Sequence, residues 1–424
     1  MLIQNARVID PANGIDGIMD ILIRGSKIAA IGKDLPDTGS ECINAQGLVA
    51  CPGLIDMHVH LRDPGFTYKE DIASGCAAAA AGGFTAVACM PNTKPVADSP
   101  EVLHYIQEQA EKACCKVYPV AAITQGEQGK QLTDFAALKA AGAVAVSDDG
   151  KPVEQDDLMK QALVQGAQNQ LLVISHCEDL KIIDGGIINK GSISEELGVK
   201  GMDRLSEDSI TKRECLLAEK TGGRIHIAHV STKGSVEIIR QAKARGVRVT
   251  AETAPHYFMM TDQLLRNRDT NFRMNPPLRE QEDVDAVLAG VQNGTLDCIV
   301  TDHAPHSPQE KADFLQAPNG IVGLETSLAA SITELYHKQG MPLSEIVRKM
   351  SLNPAEILGI EGGTLSIGKP ADITLFHPDE AWTVDASCFK SKSRNTPFDG
   401  QQLIGKVKYT ILNGKVTYKD ERKA

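Results

Sequence analysis

The sequence predicts an α/β fold: a (β/α)8, TIM-like barrel accompanied by a small β-sandwich domain formed by both termini. Three observations predict it. Strand-like apolar runs alternate with helical patterns eight times between residues 48 and 302, and an alternation of that length closes into a parallel barrel. Several runs end in histidine or aspartate, and the C-terminal ends of its strands are where such a barrel carries its active site. Outside this region both ends of the chain read as short strands with turns.

Taken in order, the strand-like runs cover 48–58, 85–92, 116–124, 143–149, 171–177, 224–230, 248–255 and 296–302. Helix candidates between them include 69–81, 100–113, 156–168, 207–220 and 234–244, several opened by Asp, Ser or Thr and closed near Gly. At the N-terminus, Ala6-Arg7-Val8-Ile9-Asp10 and Ile21-Leu22-Ile23-Arg24-Gly25 suit strands, as do Asp372-Ile373-Thr374-Leu375-Phe376 and Val407 to Gly414 at the other end. Neither end makes a stable sheet easily alone, so residues 1–50 and 363–424 are expected to form one composite domain around a barrel spanning 51–362. No Pro/Gly/Ser-rich linker separates the parts, which should pack tightly.

A chain of 424 residues with 42% apolar content can bury a large core. Its formal net charge of −11 argues against nucleic-acid or anionic-membrane partners. No run approaches the length of a membrane span and the N-terminus lacks the form of a signal peptide, so a cytoplasmic location is expected. The ten cysteines agree, since they show neither a disulfide framework nor a zinc-knuckle spacing.

The segment Asp56-Met57-His58-Val59-His60-Leu61-Arg62-Asp63-Pro64-Gly65 closes the run 48–55. On a strand, residues two apart share a face, so His58 and His60 can converge on one ion while Val59 packs the other way. Three more runs end alike: Leu171 to His176, Arg224 to His229, and Cys298-Ile299-Val300-Thr301-Asp302-His303-Ala304-Pro305-His306. Histidines at four strand ends with a carboxylate are a set favoured by zinc and similar divalent metals, which makes the barrel a metal-dependent one.

These motifs resemble the dihydroorotase family of the amidohydrolase superfamily, over essentially the whole chain. The resemblance rests on 56–65 and on Thr301 to His306, with Met90-Pro91-Asn92-Thr93 and Met274-Asn275-Pro276-Pro277-Leu278-Arg279 similar to substrate-loop motifs of that family. Many relatives bridge two metals with a carboxylated lysine on the fourth strand. Here Ala143 to Gly150 offers Asp148 and Asp149 instead, as in the longer, class I members. Adjacent strand residues face opposite ways, so only one of the two should face the metals; position relative to His176 matches Asp149 to the family ligand.

The resemblance implies reversible cyclisation of N-carbamoyl-L-aspartate to dihydroorotate in pyrimidine biosynthesis. Hydrolysing an unactivated cyclic amide needs a better nucleophile than water, a polarised carbonyl and a protonated leaving nitrogen, and zinc supplies the first two. His58, His60 and Asp149 are expected at one zinc and Asp149, His176 and His229 at a second, with Asp302 moving the proton between attacking water and departing nitrogen. Arg62, placed with His60 by alternation, suits the substrate carboxylate that is not attacked. Asn92 and His306 complete that grip and Asn275 binds the ring amide, although each could serve as a turn or loop residue.

The loop 307–320 departs from the family pattern, which has an aromatic where this chain has Asn319; Asn319 and Gly320 remain substrate candidates through their backbone. Its polar, proline-containing composition suits either a lid or an ordinary surface loop. His104, His226, His337 and His377 are expected in structural or solvent roles, and His256 and His303 could support the ligands from behind. Two alternatives stay open: a hydantoinase- or allantoinase-like cyclic amidase, and an inactive barrel retained as a scaffold for aspartate transcarbamoylase. A homo-oligomer, with aspartate transcarbamoylase as a candidate partner, completes the expectation.

Overall fold

The computed structural model describes residues 1–36 and 41–421. Eight parallel strands, Leu54–Val59, Phe84–Cys89, Lys116–Ala121, Ala145–Ser147, Leu172–Ser175, Ile225–Ile227, Val249–Thr253 and Cys298–Ile299, follow one another in spatial as in sequence order. The barrel closes where the His60 N–H donates to the His303 carbonyl at 2.8 Å and Val59 bridges His303 in parallel. Met57, Ala88, Val120, Leu172, Ile174 and Cys298 form one apolar cluster. Strands so far apart in order meet only across the barrel interior, so this cluster plugs it.

Helices cover the outside: Ile72–Ala81, Pro100–Ala110, Asp156–Asn169, Leu205–Thr221 and Lys233–Ala244 lie within a few residues of their expected positions. The first begins at Ile72 rather than residue 69, because the Asp71 carboxylate accepts from the Ser74 N–H and caps the helix there. No helix among the described residues is long and apolar enough to cross a membrane.

The two ends of the chain share one eight-stranded sheet. Its path runs Lys415–Lys419, Gln402–Leu412, Ile373–Thr383, Val49–Pro52, Leu2–Asp10, Ile15–Arg24 and Lys27–Gly32, with Cys42–Asn44 pairing beside Leu2–Gln4. Ile3, Val8, Ile21, Ile28, Ile373, Leu375 and Ile411 give it a core distinct from that of the barrel. The apolar run read as a single strand over 48–58 is in fact two. Val49–Pro52 belongs to the terminal sheet and Leu54–Val59 to the barrel, and the break falls at Gly53, where any Cβ would lie 2.1 Å from Thr85 Oγ1. Polar contacts then tie the parts together: Thr410 Oγ1 donates to the Ala80 carbonyl (2.6 Å) and Lys116 pairs with Asp372 (2.6 Å).

Candidate active site

His60, Asp149, His176, His229 and Asp302 all stand just past the last residue of their strands, and His58 one residue before the end of the first. The ends of five barrel strands bring them together at one end of the barrel. Asp149 is at the centre: its carboxylate oxygens lie 3.5 Å from His58 Nε2, 3.6 Å from His60 Nε2, 3.7 Å from His176 Nδ1 and 3.8 Å from His229 Nε2. Asp302 Oδ1 is 3.3 Å from His60 Nε2 and 3.6 Å from His58 Nε2. Asp148, by contrast, turns away and accepts from the backbone N–H (3.0 Å) and hydroxyl of Thr124.

These side chains are buried, and His58 Nε2, His229 Nδ1 and Asp149 Oδ1 have no hydrogen-bond partner among the described residues. Leaving such atoms unpaired costs about 1–3 kcal/mol each, so the set is built for something else. Two donors on one tetrahedral zinc, each about 2.0–2.1 Å away, sit roughly 3.3–3.4 Å apart, close to the separations around Asp149 and Asp302. Among the described residues, two donor triads have ligand atoms all within 4.8 Å of one another: His58, Asp149, His229 and His58, His60, Asp302. His58 therefore belongs to both triads. His176 Nδ1 lies 2.8 Å from His229 Nε2, so these two rings meet directly.

Burial pushes the carboxyls of Asp149 and Asp302 up, but the surrounding histidines outweigh it and hold both below the ordinary carboxylate range. Three site residues, Arg62 (φ 60°), His229 (φ 33°) and Asp302 (φ 49°), adopt left-handed backbone conformations, which are uncommon outside glycine and concentrate at functional positions. For Arg62 this changes the reasoning. The strand ends at Val59, so a positive-φ turn, rather than strand alternation, delivers its guanidinium to the site.

A cavity of about 240 Å³ opens over this floor, lined by His60, Asp149, His176, His229 and Asp302 below and by Arg62, Asn92, Asn275, His306, Asn319 and Gly320 around the wall. Burial lowers the Arg62 guanidinium to about 10, still charged at neutral pH. Its Nε donates to the Pro305 carbonyl at 3.3 Å and its outer nitrogen lies 3.5 Å from His306 Nε2. His306 Nε2 is also 2.9 Å from the Asn319 carbonyl. Asn92 is engaged more deeply than a carboxylate grip requires: its Oδ1 lies 2.9 Å from His60 Nδ1 and its amide donates to Asp149 at 3.3 Å. Asn275 donates to Glu178 at 3.0 Å and lies 3.4 Å from His176 Nε2.

The 307–320 loop is pinned down. The buried Lys311 ammonium donates to the carbonyls of Arg273 (3.2 Å), Pro318 (3.0 Å) and Gly320 (3.0 Å), and the Asn395 amide also reaches the Gly320 carbonyl (3.0 Å). The Asn319 side chain faces Arg273 at 3.1 Å, leaving its backbone toward His306. Gly320 has φ 136° and a Cβ there would lie 3.0 Å from His306 Nε2, so no other residue fits this wall easily.

Two carboxylates at the site are absent from the sequence reading. Glu252 contacts His58 and His226, and Glu178 contacts His176 and Asn275. Each left a signal: Glu252 is a charged residue inside a buried strand, and Glu178 follows His176 by two. The His303 ring lies 3.3 Å from Glu70 through Nε2 and accepts the Gly323 N–H at Nδ1 (3.3 Å), partners other than the candidate ligands. His256 is buried, with Nε2 unpartnered among the described residues.

With this geometry in place, comparison with known proteins is informative. A Dihydro-orotase-like family profile matches residues 47–235 and an Amidohydrolase family profile residues 213–418. A dihydroorotase of Geobacter metallireducens is 53% identical over 422 residues, covering 99% of both chains. The chain belongs to the dihydroorotase family. A second family member, from Trichlorobacter lovleyi, is 51% identical with the same coverage. Among solved structures, the L-hydantoinase of Arthrobacter aurescens superposes with a TM-score of 0.88 at 26% identity, covering 100% of this chain and 97% of that one. A dihydropyrimidinase of Brevibacillus agri gives 0.87 at 25%, covering 99% and 95%. The chain thus shares a fold with the hydantoinases, while its sequence groups with dihydroorotases at about twice that identity. It is a cyclic amide hydrolase of metal-dependent type, acting on a small molecule.

Proposed function

We propose that this chain catalyses the reversible closure of N-carbamoyl-L-aspartate to (S)-dihydroorotate in de novo UMP synthesis, using two zinc ions. The observation that carries the reading is the two-sided cavity, with a metal-type donor set on its floor and the Arg62 guanidinium with His306 on its wall. His58, His60 and Asp149 would hold one ion and Asp149, His176 and His229 the other. Asp149 lies within 3.5–3.8 Å of all four rings, which suits a shared ligand. Bound zinc would supply Lewis acidity, lowering the pKa of water and polarising the amide carbonyl.

The chain's own groups do the rest. Asp302, ionised at neutral pH and at the cavity floor, accepts the proton of the attacking water and returns it to the departing ring nitrogen; ring closure runs the same transfer backwards. Arg62 pairs with the unreacted carboxylate, assisted by His306 and Asn92. Asn275 orients the ring amide, and Asn319 and Gly320 border the substrate through their backbone. The domains are assigned as a terminal sheet unit, expected at 1–50 with 363–424, around a barrel expected at 51–362; the first boundary moves to Gly53, because Cys51 and Pro52 still pair in the terminal sheet.

A carboxylate-reading wall distinguishes this reading from a hydantoinase- or allantoinase-like one. A full donor set speaks against an inactive scaffold. All ten cysteines are free thiols, which suits a reducing cytoplasm. Homo-oligomerisation and contact with aspartate transcarbamoylase belong to the same proposal, and gel filtration with and without that enzyme tests them. The functional test is an assay of metal-analysed protein on dihydroorotate, hydantoin and allantoin. Dihydroorotate should be hydrolysed at least a hundredfold faster, on the order of the discrimination a charged anchor supports; a preference for either of the others would contradict the assignment.

A further inference from the structure

Glu252 lies inside the barrel on the seventh strand, Val249–Thr253, and is fully buried. A lone carboxylate in such a place is very costly, so its partners explain its presence. They come from two other strands. Oε1 is 2.6 Å from His58 Nδ1 and accepts the backbone N–H of His229 at 3.4 Å, while Oε2 is 3.1 Å from His226 Nε2. His226 is held in turn at its other nitrogen, 2.7 Å from Thr250 Oγ1. One carboxylate therefore gathers the first, sixth and seventh strands beneath the candidate metal floor.

The consequence for His58 follows from hydrogen-bond roles. An ionised carboxylate only accepts, so His58 Nδ1 donates to Glu252 and Nε2 is the ring nitrogen turned toward the donor set. Nε2 is the unpartnered nitrogen that faces Asp149 at 3.5 Å and Asp302 at 3.6 Å. His58 is also the one residue common to both close donor triads.

We infer that Glu252 is a positioning residue that fixes the ring orientation of His58, and with it the nitrogen presented for metal binding, with His226 as the second anchor that keeps its carboxylate in place. This rests on the reading of His58 as a metal ligand. Carboxylates behind metal-bound histidines contribute about 10–100-fold to metal affinity. His226, expected in a structural or solvent role, thereby gains a specific one.

The test measures zinc affinity of the full chain by competition with a chromophoric chelator, alongside the thermal midpoint of the metal-free protein. Glu252→Gln keeps the side-chain shape but removes the charge, and it should weaken zinc binding about 10–100-fold while the metal-free midpoint stays within a few degrees. Affinity within twofold of the parent would overturn the inference. If Glu252→Gln does not fold, His226→Gln decides, because a carboxylate freed from its second anchor should still cost at least about threefold in zinc affinity; an unchanged value overturns the inference equally. The metal reading fails separately, in a parent chain that takes up no zinc.

Discussion

The floor and the wall of the cavity are built on different principles. The floor is made of buried side chains at strand ends, five of them just past a terminal strand residue, so its geometry is inherited from the barrel. The wall is made of loop residues whose positions depend on distant partners: Arg62 on a positive φ and the Pro305 carbonyl, Asn319 on Arg273, Gly320 on Lys311 and Asn395. The comparison teaches that chemistry common to many cyclic amidases sits on the rigid scaffold, and the discrimination among substrates sits where loops can vary.

The largest effects should come from the floor. Chelation should abolish turnover and readdition of zinc restore it, with metal analysis approaching two ions per chain; full activity in metal-free protein would break the distinction at once. Asp302→Asn keeps the shape and removes the base, so turnover should fall by about 10²–10⁴ in both directions, and rates near the parent's would exclude its proton transfer.

A smaller and sharper comparison sets two neighbours on one strand end against each other. Asp149→Ala should reduce zinc occupancy by at least half, on the order expected for a shared ligand, whereas Asp148→Ala should lose mainly its bond to Thr124 and about 1 kcal/mol of stability. Elemental analysis and denaturant unfolding read the two outcomes, and the reverse ranking would reassign the bridge.

A further prediction concerns protons. Burial pushes His256 down to about 4, and burial together with Arg62, Lys69 and Lys311 pushes His306 down to about 2. Both rings are therefore neutral in the fold where an unfolded histidine, with its ordinary value of 6.5, takes up a proton. The unfolded state binds more protons, so this contribution is fully present above 6.5 and is lost as pH falls below it, at up to ~1.4 kcal/mol per unit for each ring. His306→Gln should remove one such increment from the acid-side slope of unfolding free energy, and an unchanged slope would show that His306 is charged in the fold.

The two regions also differ in how far the sequence revealed them. Period-two alternation and strand-end position brought His58, His60, His176, His229 and Asp302 to light, since a barrel converts those local signals directly into geometry. Alternation also implied that Asp148 and Asp149 face apart, as they do. It misjudged the entry to the barrel, where the close approach of Gly53 to Thr85 divides one apolar run between two sheets, and a positive-φ turn rather than alternation carries Arg62 to the cavity wall. The bonds of Asn92 to His60 and Asp149, and the clamp of Lys311 across three carbonyls, join residues far apart in the chain. No periodicity carries such contacts. Glu252 lay between these cases, visible as a charge in a buried strand yet without a partner in view.

The central claim is that floor and wall act on one substrate. Its most direct test is the ratio of kcat/KM for dihydroorotate to that for uncharged dihydrouracil, measured on the parent and on Arg62→Met with zinc content determined on the same samples. Loss of a partly desolvated guanidinium–carboxylate pair should lower that ratio on the order of 10²-fold while zinc stays bound. An unchanged ratio at full zinc occupancy would show that Arg62 does not read the substrate carboxylate and would contradict the account.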